Sequence, residues 1–271
     1  MPLGDTIGRM EWLEAIILGL IQGLTEFIPI SSSGHLVVAQ TFLSGASERL
    51  FLEFVNIGTM LALFIFFRKK IVEIVKDIFQ RKDYRLARNI LLTSIPAGLV
   101  GFFFADFIGT TAFFASAVTV VFTLAIVGVI MIVVEKLPKA SPVKDGEQLP
   151  ARRAFVIGLA QMVALIPGVS RSGATILAGR FSGLKPAAAA EYSFLASLPI
   201  MVGVTIKILV TDFDYVVENL AIVLLSNSFA FLSGLLAVGF LMRYLAKHSL
   251  AVFGWYRVGL AAVLAVILVV Q

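Results

Sequence analysis

Six stretches of the chain are apolar over a length that can cross a membrane. They cover about 51–67, 89–106, 113–134, 187–210, 219–244 and 251–271. A helix needs roughly 20 mostly apolar residues to span the hydrocarbon core of a bilayer. The pattern therefore predicts six transmembrane helices.

Two further apolar segments, about 12–42 and 154–184, are interrupted by proline, glycine and serine. Irregular backbone exposed to lipid leaves polar groups unsatisfied, so such breaks normally line a cavity enclosed by protein. We therefore predict two re-entrant helical hairpins, each made of a helix, a break and a second helix. The expected fold is an all-α polytopic membrane protein with six transmembrane helices and these two hairpins.

The two interrupted segments resemble each other. "GLIQGLTEFIPISSSGHLVVAQTF" aligns with "GLAQMVALIPGVSRSGATILAGRF" at an offset of 139 residues, which pairs Ser31 with Ser170 and Gly34 with Gly173. Three predicted spans separate the copies, so the second copy is inverted with respect to the first. We expect a single membrane domain over 1–271, with inverted repeats at approximately 12–134 and 154–271. In such folds the polar breaks meet near the middle of the bilayer.

The distribution of basic residues predicts the orientation. Eight lysine and arginine residues lie in 68–88 and five in 135–153, whereas 107–112 has none and 211–218 is acidic. Basic loops stay on the cytoplasmic side. The first two loops are therefore expected inside, and the other two outside, together with the segment 44–50. Trp255, Tyr256 and Arg257 are expected to anchor the last helix at the membrane interface, and Arg180 is expected to extend to the lipid headgroups.

Composition supports the membrane assignment. The chain is 59% hydrophobic and 14% charged, whereas soluble domains are about 45–50% apolar and about 25% charged. The net charge of +5 lies largely in short loops and does not indicate nucleic-acid binding. The chain has no cysteine, which excludes disulfides, thiolate nucleophiles and cysteine metal sites.

Two charged residues inside the interrupted segments, Glu26 and Arg171, are functional candidates, because charge in the membrane is costly. Glu26 lies one helical turn after Gln22, on the same helix face. Pro29 should end that helix. "SSSGH" should begin the next one, with serine as its cap. A helix start of this kind can bind an anion through its free N–H groups and its dipole.

The second copy, "PGVSRSGAT", has Arg171 where the first copy has Ser32. Arginine is a planar cation suited to bidentate phosphate binding. Two serine-rich helix starts and one arginine would form a pocket for a multiply charged anion. Glu26 would repel that anion unless a divalent cation, Mg²⁺ or Ca²⁺, bridged them. The expected anion-binding residues are Ser31, Ser33, Gly34, Ser170, Ser172 and Gly173.

His35 follows Ser32 by three residues. It is either a nucleophile toward phosphorus, a general base that activates Ser32, or a hydrogen-bonded structural residue. The serines likewise have a structural alternative as helix caps, which does not exclude phosphate binding. The residues alone leave these alternatives open.

The motifs "QGLTEFIPISSSGH" and "PGVSRSGATI", with "AAAEYSFLASLPIM" and "YRVGLAA", resemble those of the bacterial undecaprenyl-diphosphatase family, which is associated with bacitracin resistance. The resemblance covers nearly the whole chain. It implies a divalent-cation-dependent enzyme of the bacterial inner membrane that removes the terminal phosphate of undecaprenyl diphosphate. The product is the lipid carrier for peptidoglycan precursors. The active site is expected to face the periplasmic or outer side.

The resemblance also assigns roles to residues. It implies catalytic roles for Glu26, Ser32, His35 and Arg171 and adds Thr175 to the binding residues. Many members of the family have glutamate where this chain has Gln22, whose amide oxygen would then be the second metal ligand beside Glu26. The expected partners are a polyprenyl diphosphate lipid and membrane lipids; a homodimer is left open.

Two other classes of protein fit parts of the pattern. Inverted repeats with broken helices also occur in transporters, so a lipid-phosphate flippase could use the same pocket. A lipid-binding scaffold would give Glu26, His35 and Arg171 no reason to be buried. Release of phosphate from a solubilised lipid diphosphate separates an enzyme from a flippase.

Overall fold

The structure, a computed structural model, describes residues 12–40, 49–137 and 142–270, and these are helical almost throughout. The first half contains α1 (Trp12–Phe27), α2 (Ser32–Gln40), α3 (Arg49–Phe66), α4 (Arg68–Lys76), a π-helical turn (Asp77–Arg81), α5 (Arg85–Phe103), α6 (Ala105–Thr110), α7 (Ala112–Ala115) and α8 (Ala117–Val134). The second half contains α9 (Ala151–Val163), α10 (Arg171–Phe181), α11 (Pro186–Thr211), α12 (Phe213–Glu218), α13 (Leu220–Leu245) and α14 (Ala251–Val270). Most of the segment 44–50 lies outside the described residues.

Five of these helices, α5, α8, α11, α13 and α14, are long and apolar enough to cross a membrane. The bent pair formed by α3 and the helical stretch after it, with 66° between them, makes a sixth candidate. The prediction of a multi-span, all-helical membrane protein is therefore confirmed. Much of the basic loop 68–88 is helical, as α4 and the π-helical turn.

Both interrupted segments contain two helices with a break between them, as predicted. In the first, α1 ends at Phe27, two residues before Pro29, and α2 begins at Ser32. Proline cannot donate a backbone hydrogen bond and clashes with the preceding turn, which explains why α1 ends here. In the second, α9 ends at Val163 and α10 begins at Arg171.

The first helix of each broken segment packs tightly on a long helix of the other half of the chain. Helix α1 lies along α13, and α9 lies along α5. A side chain at Gly19 or Gly23 would collide with the backbone of α13, and one at Gly158 would collide with that of α5. Small residues allow helices to approach this closely in membranes. These contacts hold the broken segments within the helical bundle.

Candidate functional site

Glu26, near the end of α1, is the centre of a polar cluster that joins the two broken segments. Its Oε1 accepts a hydrogen bond from Nη2 of Arg171 at 2.5 Å, which makes a salt bridge across the two segments. Its Oε2 accepts hydrogen bonds from the Ser32 hydroxyl at 2.7 Å and from Nε2 of Gln22 at 3.0 Å. Both charged side chains are largely buried, with 11% of Glu26 and 22% of Arg171 exposed.

Two residues that the sequence reasoning missed contact this cluster. Nε2 of Gln22 also donates to Oδ1 of Asn56 at 2.7 Å, and Nη2 of Arg171 lies 3.4 Å from the sulfur of Met201. Asn56 is a polar residue inside the apolar stretch 51–67, and such residues usually face the interior of a bundle. That signal could have identified Asn56. Nothing in the local pattern distinguishes Met201 from other apolar residues.

The two helix starts are built alike. The hydroxyl of Ser31 accepts a hydrogen bond from the Gly34 N–H at 3.2 Å, and that of Ser170 accepts one from the Gly173 N–H at 3.1 Å. Ser31 and Ser170 also share a positive φ, 76° and 72°. Non-glycine residues in such conformations typically cost about 1–3 kcal/mol and concentrate at functional sites. The two serines therefore act as helix caps, as the structural alternative expected.

The remaining serines of the two motifs link the breaks to each other. The hydroxyl of Ser33 lies 3.1 Å from that of Ser31 and accepts a hydrogen bond from the Gly168 N–H at 3.4 Å. The hydroxyl of Ser172 lies 3.1 Å from that of Ser170 and donates to the main-chain oxygen of Glu26 at 3.3 Å. The two motifs thus meet, although they are far apart in the sequence.

Thr175 lies deeper in α10. Its hydroxyl hydrogen-bonds to the hydroxyl of Ser193 at 2.5 Å and donates to the main-chain oxygen of Arg171 at 2.8 Å. These contacts tie α10 to α11. Thr175 thus supports the backbone that carries Arg171.

His35, on α2, has a hydrogen-bond partner for each ring nitrogen. Nδ1 lies 2.7 Å from the main-chain oxygen of Ser31, and Nε2 lies 2.7 Å from the hydroxyl of Tyr256. The His35 and Tyr256 rings are also stacked, with 5.7 Å between their centroids. Because a carbonyl oxygen only accepts, Nδ1 carries the proton in the neutral ring. The Ser32 hydroxyl is paired with Glu26 and His35 with Tyr256, so the structure does not pair these two predicted catalytic residues.

Two arginines lie elsewhere than expected. Arg257 was expected at the membrane interface, but its side chain is fully buried and donates to main-chain oxygens of both breaks. Arg180 was expected to extend to headgroups, but it is buried and forms a salt bridge with Glu135 at 2.7 Å. Both expectations were wrong because hydropathy near a span end does not reveal which face of the helix a residue occupies.

The donor set around Glu26 bears on the expected divalent cation. Among the described residues, no group of three or more histidine, aspartate or glutamate side chains could hold a metal ion. Mg²⁺ is commonly held by one or two carboxylates together with substrate phosphates. The residues present therefore fit a cation shared between Glu26 and a bound phosphate, and they do not form a cage made by protein alone. Gln22 presents its amide nitrogen to Glu26, so its amide would have to rotate to bind a cation.

Fold and site together define a polytopic helical membrane protein with a buried acid–arginine–serine cluster where two broken helices meet. The sequence profile of the family described as "Bacitracin resistance protein BacA" matches residues 15–263. The chain belongs to this family.

Several curated relatives match nearly their whole length. The undecaprenyl-diphosphatase of Nitrosospira multiformis is 35% identical over 264 residues, which cover 95% of this chain and 96% of the relative. That of Rubrobacter xylanophilus is 38% identical, with 96% and 99% covered. Undecaprenyl-diphosphatase 1 of Clostridioides difficile is 36% identical, with 96% and 97% covered.

Proposed function

We propose that the protein is a membrane phosphatase that hydrolyses undecaprenyl diphosphate to undecaprenyl phosphate and inorganic phosphate. This reaction would recycle the lipid carrier for cell-wall synthesis. Similarity to relatives named undecaprenyl-diphosphatase supports the activity. The assignment of this activity to the polar cluster rests on the Glu26 carboxylate, which contacts both Arg171 and the Ser32 hydroxyl.

This cluster has the groups that phosphoryl transfer needs. Catalysis of phosphoryl transfer rests mainly on positioning and on stabilisation of the charge that develops on the phosphate oxygens. Arg171 would bind the diphosphate, with the helix starts at Ser31 and Ser170 beside it. An anionic substrate competes with Glu26 for the guanidinium. Binding would therefore release Glu26 from Arg171 and leave it free to accept a proton.

Ser32 is the nucleophile that the hydrogen bonds favour. Its hydroxyl already donates to Glu26 at 2.7 Å, which is the geometry of a nucleophile paired with its base. Ser32 Oγ would attack the terminal phosphorus while its proton passes to Glu26, and undecaprenyl phosphate would leave. Water would then hydrolyse the phosphoserine and release inorganic phosphate. His35 is the second candidate nucleophile, and its Nε2 would first have to leave the Tyr256 hydroxyl.

We also propose a divalent cation, Mg²⁺ or Ca²⁺, held by Glu26 and the substrate, with Gln22 as a further ligand. When bound, such a cation would neutralise phosphate charge. The test is phosphate release by purified protein with and without a chelator, followed by restoration with each metal. Full activity in the chelator would overturn the cation requirement and leave the proposed hydrolysis intact.

The inverted repeat and the re-entrant course of both broken segments belong to the same proposal. Equivalent packing supports them, since α1 lies on α13 as α9 lies on α5. The matching caps and positive φ angles at Ser31 and Ser170 support them too. The breaks would meet inside the bilayer, and the site would open to the outer side of the bacterial inner membrane. The sequence leaves a homodimer open, and light scattering in detergent would decide the oligomeric state.

The test of the function is phosphate release from undecaprenyl diphosphate by detergent-solubilised protein. No membrane barrier exists in detergent, so a flippase would release no phosphate and a phosphatase would. A flippase has no support in the names of the relatives reported above. Absence of phosphate release from folded wild-type protein would overturn the proposed function.

A further inference from the structure

The buried side chain of Arg257, in the first turns of α14, donates to both breaks. Its Nη1 lies 3.3 Å from the main-chain oxygen of Pro29, in the first break, and its Nη2 lies 2.5 Å from that of Gly168, in the second. Its Nε lies 3.5 Å from the main-chain oxygen of Leu124 on α8. One side chain thus contacts both breaks and a neighbouring span.

Burial of this guanidinium needs a reason, because a charged group away from water is costly unless it is well hydrogen-bonded. Arg257 has 0% of its surface exposed. Its partners in these contacts are carbonyl oxygens. Pro29 and Gly168 lie between helices, where carbonyl oxygens need donors from outside the helix. A planar group with five N–H donors can serve several such oxygens at once.

The two oxygens that Arg257 joins flank the candidate site. Pro29 lies midway between Glu26 and Ser32, three residues from each, and Gly168 lies three residues before Arg171. The distance between the breaks therefore decides whether Glu26 can contact Arg171. Arg257 itself has no exposed surface with which to bind substrate, and its contacts are made to the protein backbone.

We propose that Arg257 is a positioning residue, which holds the two breaks at the separation that brings Glu26 and Ser32 against Arg171. This inference rests on the proposed phosphatase function. It gives a role to the "YRVGLAA" motif of α14, which lies far along the sequence from both site motifs. Tyr256, the neighbouring residue, contacts His35, so α14 supports the first broken segment at two points.

The first test compares kcat and KM of purified Arg257→Gln and Arg257→Lys with those of the wild type. Small errors in the placement of reacting groups can cost about 100-fold in rate. We expect kcat of Arg257→Gln to fall by about that factor, with KM little changed. Arg257→Lys keeps the charge but lacks the planar guanidinium group, so its kcat should lie between those of the wild type and Arg257→Gln. Arg243→Gln is the matched control, because Arg243 is exposed and donates to Gly239 of its own helix.

The second test measures the distance between the two broken segments with spin labels placed before each break. The chain has no cysteine, so spin labels can be attached only at introduced sites. Leu24 on α1 and Val163 on α9 are 43% and 51% exposed, and each precedes a break. The distance distribution between labels at these positions should broaden or shift in Arg257→Gln and stay as in the wild type in Arg243→Gln.

Each result of these two tests either supports or overturns the positioning role of Arg257. Unchanged kcat in folded Arg257→Gln, an unchanged label distance, or an equal loss in Arg243→Gln would overturn the positioning role. Loss of folding in both Arg257→Gln and Arg257→Lys would also overturn it and leave a purely structural role. If the wild type released no phosphate, the proposed function would fail, and the label distances would still decide whether Arg257 sets the separation.

Discussion

The carboxylate of Glu26 has two roles, which are charge pairing with Arg171 and hydrogen bonding with Ser32. Its Oε1 accepts a hydrogen bond from the Arg171 guanidinium, and its Oε2 accepts one from the Ser32 hydroxyl. A largely buried charge that loses its partner is strongly destabilising, often by about 3–5 kcal/mol. Glu26 and Arg171 therefore stabilise each other until an anionic substrate takes the guanidinium. Such a pair can keep the cluster folded without substrate and release it for reaction when substrate binds.

Arg171→Ala should nearly abolish turnover, because the transferred phosphate would lose its main cationic partner. Loss of one such electrostatic contact commonly costs about 10²–10³ in kcat. The measurement is phosphate release per purified molecule, with membrane insertion checked by fractionation. Arg81→Ala is the control, since Arg81 is exposed and pairs with Asp77 on its own helical segment. Unchanged release by Arg171→Ala would remove this cluster as the active site.

Ser32 and His35 can be told apart by the phosphoenzyme each would form. Because the Ser32 hydroxyl donates a hydrogen bond to Glu26, we expect a phosphoserine, which is stable in acid. We also expect kcat of Ser32→Ala to fall by a factor of about 10²–10³. The measurement is acid quench of protein incubated with substrate labelled on the terminal phosphate. An acid-labile, base-stable label would instead identify phosphohistidine. Near-normal activity of His35→Ala would leave His35 a structural role.

At the scale of elements, the breaks in the two interrupted segments were the features that the pattern predicted best. Pro29 and the serines after it indicated where α1 ends and α2 begins, since both effects act within a few residues. The helices do not end where the apolar stretches end. Helix α5, for example, begins at Arg85 rather than near 89, because polar residues at a span end can be helical without lying in the membrane.

Gly23→Ala should destabilise the protein, because a Cβ at Gly23 would collide with Ser233 and with the backbone of α13. Forcing extra volume into a packed contact costs about 1–3 kcal/mol. The measurement is the midpoint of thermal unfolding in detergent. The matched control is Gly203→Ala on α11, where a Cβ meets nothing within 4 Å. An equal or higher midpoint for Gly23→Ala would contradict the close contact between α1 and α13.

At the scale of the whole molecule, the two candidate spans α5 and α8 separate the basic regions 68–88 and 135–153, so we expect both regions on the same side of the membrane. We expect the charged stretch around Lys82 to be cytoplasmic and the acidic stretch around Asp214 to be external. Single cysteines at these two positions, introduced into a chain that has none, report this directly. An impermeant thiol reagent added to intact cells should label Asp214→Cys and spare Lys82→Cys. The reverse pattern would invert the proposed orientation and place the site on the cytoplasmic side.

Local sequence patterns by themselves determined the class of protein, the positions of the apolar spans, the two broken segments and the motifs that carry Glu26, Ser32 and Arg171. These features depend on hydropathy and on backbone preferences that act over a few residues. Only the tertiary structure decided which side chains meet. Glu26 and Arg171 are 145 residues apart, and their pairing depends on how whole helices pack. For the same reason Arg257, which looked like an interfacial anchor, proved to be a buried link between the two breaks.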